Sequence, residues 1–117
     1  MINLENKRID EFNNQKRDLV NDFVDLISSR TFKSTLRIAI IVLLGINGPL
    51  TFTDLQRSLR IGKGSLKNHL DVLETEDFIK GRNVITLNGP RLVYQITDKG
   101  REFYNKYIDL FDRFKLL

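Results

Sequence analysis

The chain has 117 residues, of which 41% are hydrophobic and 29% charged, and these are ordinary proportions for one globular domain. The absence of cysteine excludes a disulfide framework and thiolate metal sites, and the net charge of +4 favours an anionic partner. The longest apolar run, residues 38–44, is too short to cross a bilayer, and the amino terminus lacks a secretion signal, so we expect a cytoplasmic protein.

Positive charge is concentrated in two stretches of the chain. Residues 33–70 hold six basic side chains against one acid, and residues 80–101 hold five against one, whereas residues 71–79 hold four acids and no base. This distribution is typical of a surface that neutralises phosphates. The alternative is that any chain with a pI near 9.5 has basic stretches somewhere.

The first segment, residues 3–29, contains no Pro or Gly and is predicted to form one long amphipathic helix. Its apolar residues follow a heptad pattern, with Lys16 in the seam. Two interpretations remain open, a helix folded flat on its own domain or one half of a dimer interface. Under the second interpretation the contact residues are Phe12, Leu19, Phe23 and Leu26.

A second helix is predicted over residues 35–46, with Ser34 as a plausible cap. Its run IAIIVLL is apolar nearly all round, which predicts the central core helix. The residues Gly45 to Pro49 end it, and Leu50–Phe52 suits a small edge strand.

The stretch from Thr53 to about residue 76 is predicted to be two helices joined by a tight turn. Thr53 and Gln56 match a capping box, and the glycines of residues 61–64 favour a sharp break. In the second helix, residues 63–76, three leucines spaced i, i+4 and i+7 form a core stripe, opposite a small, polar face. This is the helix-turn-helix pattern, whose second helix can enter a DNA major groove.

Residues 78–87 and 91–96 are β-branched and aromatic runs around Asn88-Gly89-Pro90, which predicts a β-hairpin. A hairpin at about residues 79–96 would form a wing beside the helix-turn-helix, with basic side chains for the DNA backbone or minor groove.

A last helix is predicted from Asp98, after the cap Thr97, to about residue 116. Its aromatic residues follow coiled-coil spacing, and they require cover from the first helix, from a second chain, or from both. A ligand pocket is the weaker alternative. The residues assigned to a dimer contact here are Tyr107, Leu110 and Phe114.

The ordered motifs Arg37 to Ile40, Leu50 to Leu55, Leu66 with His69-Leu70, Leu73-Glu74, and Ile96 to Arg101 span about two thirds of the chain. This order resembles the winged-helix DNA-binding regulators related to MarR, ArsR and PadR repressors, especially a small archaeal and bacterial subgroup. Two positions depart from that pattern. Gly62 replaces a Ser or Thr cap, and Asp77 replaces a Gly after the recognition helix, so it must adopt a left-handed conformation or end the helix differently.

No catalytic or metal constellation stands out in the sequence. His69 is the only histidine, and with no cysteine it has no partners for a metal site, so it is interpreted as a packing or phosphate-contacting residue. We therefore expect no enzyme, no cofactor and no metal. A small-molecule effector cannot be assigned from the sequence.

The sequence thus predicts a mainly α fold with a small β-hairpin wing (α+β), a winged helix-turn-helix with long N- and C-terminal helices. Residues 1–32 and 98–117 are expected to serve dimerisation, and residues 33–97 DNA binding. The predicted function is a homodimeric, sequence-specific regulator of transcription on double-stranded DNA, and the alternative is a protein-binding module of transcription or replication machinery. The candidate DNA-binding residues are Arg57, Lys63, Ser65, Lys67, Asn68, Lys80, Arg82, Asn83 and Arg91.

Overall fold

The computed structural model describes residues 4–116, which form five α-helices and three β-strands. The elements are α1 (Leu4–Ile27), a 3₁₀ turn (Thr31–Lys33), α2 (Thr35–Asn47), β1 (Leu50–Thr51), α3 (Phe52–Leu59), α4 (Lys63–Thr75), β2 (Ile79–Thr86), β3 (Gly89–Ile96) and α5 (Asp98–Lys115). The mainly α fold with a small hairpin is confirmed. No helix within residues 4–116 is both long enough and apolar enough to cross a membrane.

The sheet is antiparallel, with the strand order β1-β3-β2. The short strand β1 pairs Leu50 with Tyr94 at one edge, which confirms the predicted edge strand. Strands β2 and β3 pair along their whole length, from Ile79 opposite Ile96 to Thr86 opposite Gly89. The hairpin therefore extends well beyond β1, and no third strand within residues 4–116 covers its outer part.

Helix α2 lies at the centre of the fold, as predicted. Ile40, Ile41 and Leu44 are fully buried, and the helix contacts α3, α4, α5 and β3. The core stripe of α4 is also confirmed, because all three of its leucines have no exposed surface. These leucines are Leu66, Leu70 and Leu73.

The predicted cap of α3 was wrong by two residues. The helix begins at Phe52, and the capping box consists of Thr51 and Asp54 rather than Thr53 and Gln56. The amide of Asp54 donates to Thr51 Oγ1 at 3.0 Å, and the amide of Thr51 donates to Asp54 Oδ2 at 3.1 Å. The short carboxylate of Asp54 satisfies the free amide as well as Gln would, and pairing of β1 with β3 fixes Thr51 directly before the helix.

The turn between α3 and α4 does not use its glycines as predicted. Arg60, with φ 55° and ψ 43°, takes the left-handed conformation, and its amide donates to Gln56 O. Gly62 has an ordinary negative φ and caps α4, and Gly64 lies inside that helix. The sharp change of direction therefore occurs at Arg60, two residues earlier than the sequence indicated.

The wing turn also lies earlier than predicted, at Leu87-Asn88. Gly89 pairs with Thr86 and carries the positive φ of 97° that a side chain would disfavour. Pro90 falls within β3, where it was predicted to be in the turn. A strand accepts proline there because β1 covers only Val93 and Tyr94, which leaves β3 without a second neighbour at Pro90.

The terminal helices pack against each other within the chain. Leu19 and Leu110 are buried, and the ring of Phe23 lies edge-on to Phe111 and Phe114 with centroids 6.4 and 5.8 Å away. Arg113 Nη1 pairs with Asp22 Oδ2 at 3.1 Å across the same contact. The C-terminal half of α1 therefore folds onto α5, one of the two arrangements that the sequence left open.

Candidate nucleic-acid interface

The outward face of α4 is small, polar and exposed along its first two turns. Lys63, Ser65, Lys67 and Asn68 are all exposed. Ser65 and Asn68 lie on the polar face, and the two lysines lie on its flanks. Ser65 and Asn68 are three residues apart, so they share one face of the helix. Hydroxyl and amide side chains at the start of a recognition helix can hydrogen-bond to base edges.

Lys67 forms an ion pair within α4. Its Nζ lies 2.7 Å from Asp71 Oδ1, one helical turn further on. The hydrogen bond to Asp71, followed by the negative charge of that carboxylate, raises the pKa of Lys67. Both side chains are more than half exposed, so water screens the pair and Lys67 can exchange Asp71 for a phosphate at little cost.

The hairpin places three of its four candidate residues on one side. Residues directly opposite in an antiparallel pair share a face, and residues two apart in one strand also do. Lys80 and Arg82 are two apart, and Arg91 lies opposite Val84 on that same face. Asn83, opposite Leu92, lies on the other face. The wing therefore has a basic face formed by Lys80, Arg82 and Arg91, from which Asn83 is excluded.

The wing is held to α4 at its base. The amide of Gly81 donates to Glu74 Oε2 at 2.6 Å. Tyr94, which pairs with Gly81 in the hairpin, is buried. Burial raises the pKa of the Tyr94 phenol, while the nearby charge of Lys67 acts in the opposite direction. A Cβ at Gly81 would lie 2.8 Å from the Tyr94 ring, so this contact needs glycine or a displaced ring.

The far end of α4 is joined to the start of α5. Asp77, at the position where related regulators have Gly, adopts the left-handed conformation with φ 64°. This is the first of the two outcomes expected from the sequence. The amide of Phe78 donates to Leu73 O. Thr97 Oγ1 donates to Asp77 O at 2.6 Å and accepts from Gly100 N at 3.1 Å. Lys99 Nζ donates to Glu76 O at 2.7 Å. The two hydrogen bonds from Thr97 to Asp77 and from Lys99 to Glu76 thus link the start of α5 to the end of α4.

His69 is a half-buried packing residue on the side of α4 that meets α2. Its Nδ1 lies 3.4 Å from Arg37 Nη1, and Arg37 Nε in turn donates to Thr31 O. Burial, and then the positive charge of Arg37, lower the pKa of His69. The neutral imidazole can accept from Arg37, whereas a protonated ring would face a second cation.

The depressed pKa of His69 predicts a loss of stability in mild acid. As pH falls through about 6.5, unfolded chains take up the histidine proton before the folded protein does. The unfolded state then binds more protons, so the free energy of unfolding decreases between about pH 7 and pH 5. Urea unfolding of the wild type and of His69→Gln at several pH values measures this. The variant should show a flatter profile in that window, and parallel profiles would contradict the assignment.

The remaining predicted residues are placed as follows. Arg57 is exposed in the last turn of α3. Of the residues assigned to a dimer contact, Leu19 and Leu110 are buried inside the chain, Leu26 and Tyr107 pack on the core, Phe23 and Phe114 pack against each other, and the Phe12 side chain lies outside the described part. Sequence reasoning missed the exposed apolar tip of the wing, Ile85 and Leu87, although the run NVITL already signals it by continuing its apolar alternation up to the turn.

A family profile described as a winged helix DNA-binding domain matches residues 36–114. An uncharacterized protein of Methanocaldococcus jannaschii is 29% identical over 79 residues, which cover 68% of this chain and 86% of that protein. The profile match includes the helix-turn-helix and the wing. The resemblance to winged-helix regulators drawn from the sequence motifs is confirmed by the profile.

Solved structures share the same architecture. The transcriptional regulator homologue from Pyrococcus horikoshii OT3 is 27% identical, with a TM-score of 0.66 over 79% of this chain and 95% of that one. Bacillus subtilis PadR in complex with operator DNA is 23% identical, with a TM-score of 0.55 over 63% of this chain and 46% of that one. At that lower identity, the similarity to PadR shows the fold alone.

Proposed function

The chain belongs to the winged helix DNA-binding domain family, and from that premise we propose that it regulates transcription as a homodimer that binds a specific duplex sequence. The fold is that of transcriptional regulators, which are not enzymes. The observation that carries the proposal is that the exposed polar face of α4 and the basic face of the wing belong to elements joined by the Gly81–Glu74 hydrogen bond. One duplex can therefore meet both surfaces together.

We assign base recognition to the first two turns of α4 in the major groove. Ser65 and Asn68 would hydrogen-bond to base edges, and Lys63 and Lys67 would contact bases or phosphates. Arg57 and the basic face of the wing would hold the backbone on either side. That PadR was solved with operator DNA supports this class of partner for a winged helix of related fold.

The homodimer is supported by the elongated shape of the chain. Its radius of gyration is 18.9 Å, against about 13 Å for a compact domain of this length. The described side chains from Asn6 to Asp18 on α1 are all exposed, before Leu19 gives the first buried contact with α5. A single helix segment of about 15 residues is only marginally stable in water, which favours cover by a second chain.

The surface proposed for this contact differs from the residues that the sequence suggested. Ile9, Val20 and Val24 are each about half exposed, at 52%, 50% and 47%, and lie within a narrow arc of the helix. Phe111, 42% exposed, borders this arc through its ring contact with Phe23. We call Ile9, Val20, Val24 and Phe111 the outer apolar stripe. It is an apolar surface that the described parts of the terminal helices leave exposed for a partner.

Selection of bound duplexes from a random pool, followed by salt titration of the winning sequence, tests the function. We expect a palindrome with half-sites about 34 Å apart, bound by two chains. Affinity should fall steeply with salt, and Lys67→Ala and Arg82→Ala should each reduce the slope of log K against log salt by about one.

Lys106→Ala is the matched control for Lys67→Ala. Lys106 is similarly exposed and also pairs with a carboxylate one helical turn away, Glu102 at 3.2 Å, but it lies on α5. Its removal should leave the slope unchanged. Salt-independent affinity, or equal effects of the two lysines, would refute the proposal. If the chain bound no DNA duplex at physiological salt and a pull-down recovered a protein partner in stoichiometric amount, the chain would instead be a protein-binding module.

A further inference from the structure

The tip of the wing is apolar and fully open to solvent. Leu87, in the two-residue turn, is 107% exposed, and Ile85 is 89% exposed. Pro90, which pairs with Ile85, is also exposed, and these three residues surround the turn. We call Ile85, Leu87 and Pro90 the wing tip. An unsupported loop of a soluble protein would ordinarily carry polar residues here, so this composition needs a reason.

The position of the wing tip follows from the attachment of the hairpin. The hairpin meets α4 at Gly81, and five further residues lead to Thr86 at the start of the turn. At about 3.3 Å per residue this is about 17 Å, which is half of the roughly 34 Å repeat of a DNA double helix. A wing of this length can reach the minor groove that neighbours the major groove occupied by α4.

Charge on the same hairpin indicates which partner the wing tip meets. Residues 78–97 contain no acidic side chain, and the basic face carries Lys80, Arg82 and Arg91. Contact with the wing of a second copy would bring these cations against cations of the same kind. A duplex offers phosphates to the basic face and the apolar sugar edges of the minor groove to the wing tip.

We propose, on the basis of the regulator function proposed above, that Leu87 acts as an apolar wedge in the minor groove and bends the bound duplex. Apolar side chains inserted from the minor groove partly unstack a base step and kink the helix by about 20° or more. The basic face then holds the phosphates beside the kink. Pyrimidine–purine steps deform most easily, so selected duplexes should carry TA or CA where the wing tip reaches.

The assay compares affinity and bend angle for Leu87→Ser on the selected duplex, with bending measured by phased electrophoresis or end-to-end energy transfer. Full exposure of Leu87 means that the variant should fold normally. We expect about tenfold weaker binding or more, a reduced bend, and an unchanged salt slope, since no charge is removed. Ile46→Ser, at an isoleucine 65% exposed near the end of α2, is the matched control and should change none of these.

Two results would overturn the wedge. Wild-type affinity and bend in Leu87→Ser would show that the tip does not touch the duplex, and loss of a second chain from the complex would show that it contacts a protein surface instead. Failure of the underlying function is distinct from either. In that case the wild-type chain itself would show no salt-dependent binding to any duplex, and both the regulator function and the role proposed for Leu87 would be refuted.

Discussion

Replacement of both Val20 and Val24 by Asp is expected to give a monomer that binds its duplex about a hundred- to ten-thousandfold more weakly. Both residues lie on the outer apolar stripe, and two carboxylates per chain would place four buried charges in a symmetric contact. A monomer would bind one half-site at a time and would lose the gain in affinity that comes from linking two binding sites, which is about a hundred- to ten-thousandfold. Sedimentation equilibrium gives the mass, and titration at fixed salt gives the affinity.

The control for this variant introduces the same charge on the same helix at polar positions. Gln15→Asp with Asn21→Asp changes two exposed residues of α1 that lie off the stripe. This pair should remain dimeric, because its new carboxylates stay in water. Equal dissociation of both variants would mean that charge alone, rather than the outer apolar stripe, determines assembly. A dimeric Val20/Val24 variant would place the contact elsewhere.

Gly100→Ala is expected to lower the free energy of unfolding by about 3 kcal/mol or more, the upper end for overpacked sites. A Cβ at this position would lie 2.1 Å from the carbonyl oxygen of Phe78 and 2.7 Å from Ile96. A backbone oxygen cannot rotate away, so the start of α5 would have to move and break its link to Thr97. Thermal melting should show a fall of roughly 10 °C or more.

The matched substitution is Gly64→Ala, also at a glycine inside a helix. A Cβ there meets nothing within 4 Å, and φ is not positive. Alanine restricts the unfolded chain and favours the helix, so this variant should be more stable by about 0.5–1 kcal/mol. The opposite signs separate steric conflict from helix propensity. Equal effects at Gly64 and Gly100 would contradict the close approach to Phe78.

Long periodic segments made the fold predictable from the sequence. The spacing of Leu66, Leu70 and Leu73 and the apolar run of α2 each fix a buried face without knowledge of the partner. The first residues of the helices and the positions of the turns were harder to predict, because they depend on contacts between residues distant in sequence. Thr51 becomes the cap only because β1 pairs with β3, and no local pattern distinguishes it from Thr53.

Exposure of the candidate DNA-binding residues followed directly from their polarity, but their relative placement did not. Lys80, Arg82 and Arg91 share a face because the turn lies at Leu87-Asn88. The turn predicted at residues 88–90 would instead have paired Arg91 with Leu87 and so placed Arg91 on the opposite face of the hairpin. The pairing of Lys67 with Asp71 was also not anticipated, although the i, i+4 spacing permits it.

Heptad spacing on the terminal helices identified a real interface but could not say which chain provides the partner. The same apolar stripe would serve a neighbouring helix of its own chain or of another. In the structure Leu19 and Leu110 are buried by the intrachain pairing of α1 with α5. The contact proposed for a second chain therefore uses the outer apolar stripe, in which Val20 and Val24 lie beside the heptad positions.

The hydroxyl of Thr97 couples the start of the last helix to the end of α4. It bonds both Asp77 and Gly100, so α4 and α5 tilt together rather than independently. Helix α5 has 18 residues and is therefore about 27 Å long. A rotation of about 10° at Thr97 would displace the far end of α5 by about 5 Å. A small displacement at the far end of α5 would thus also displace the end of α4.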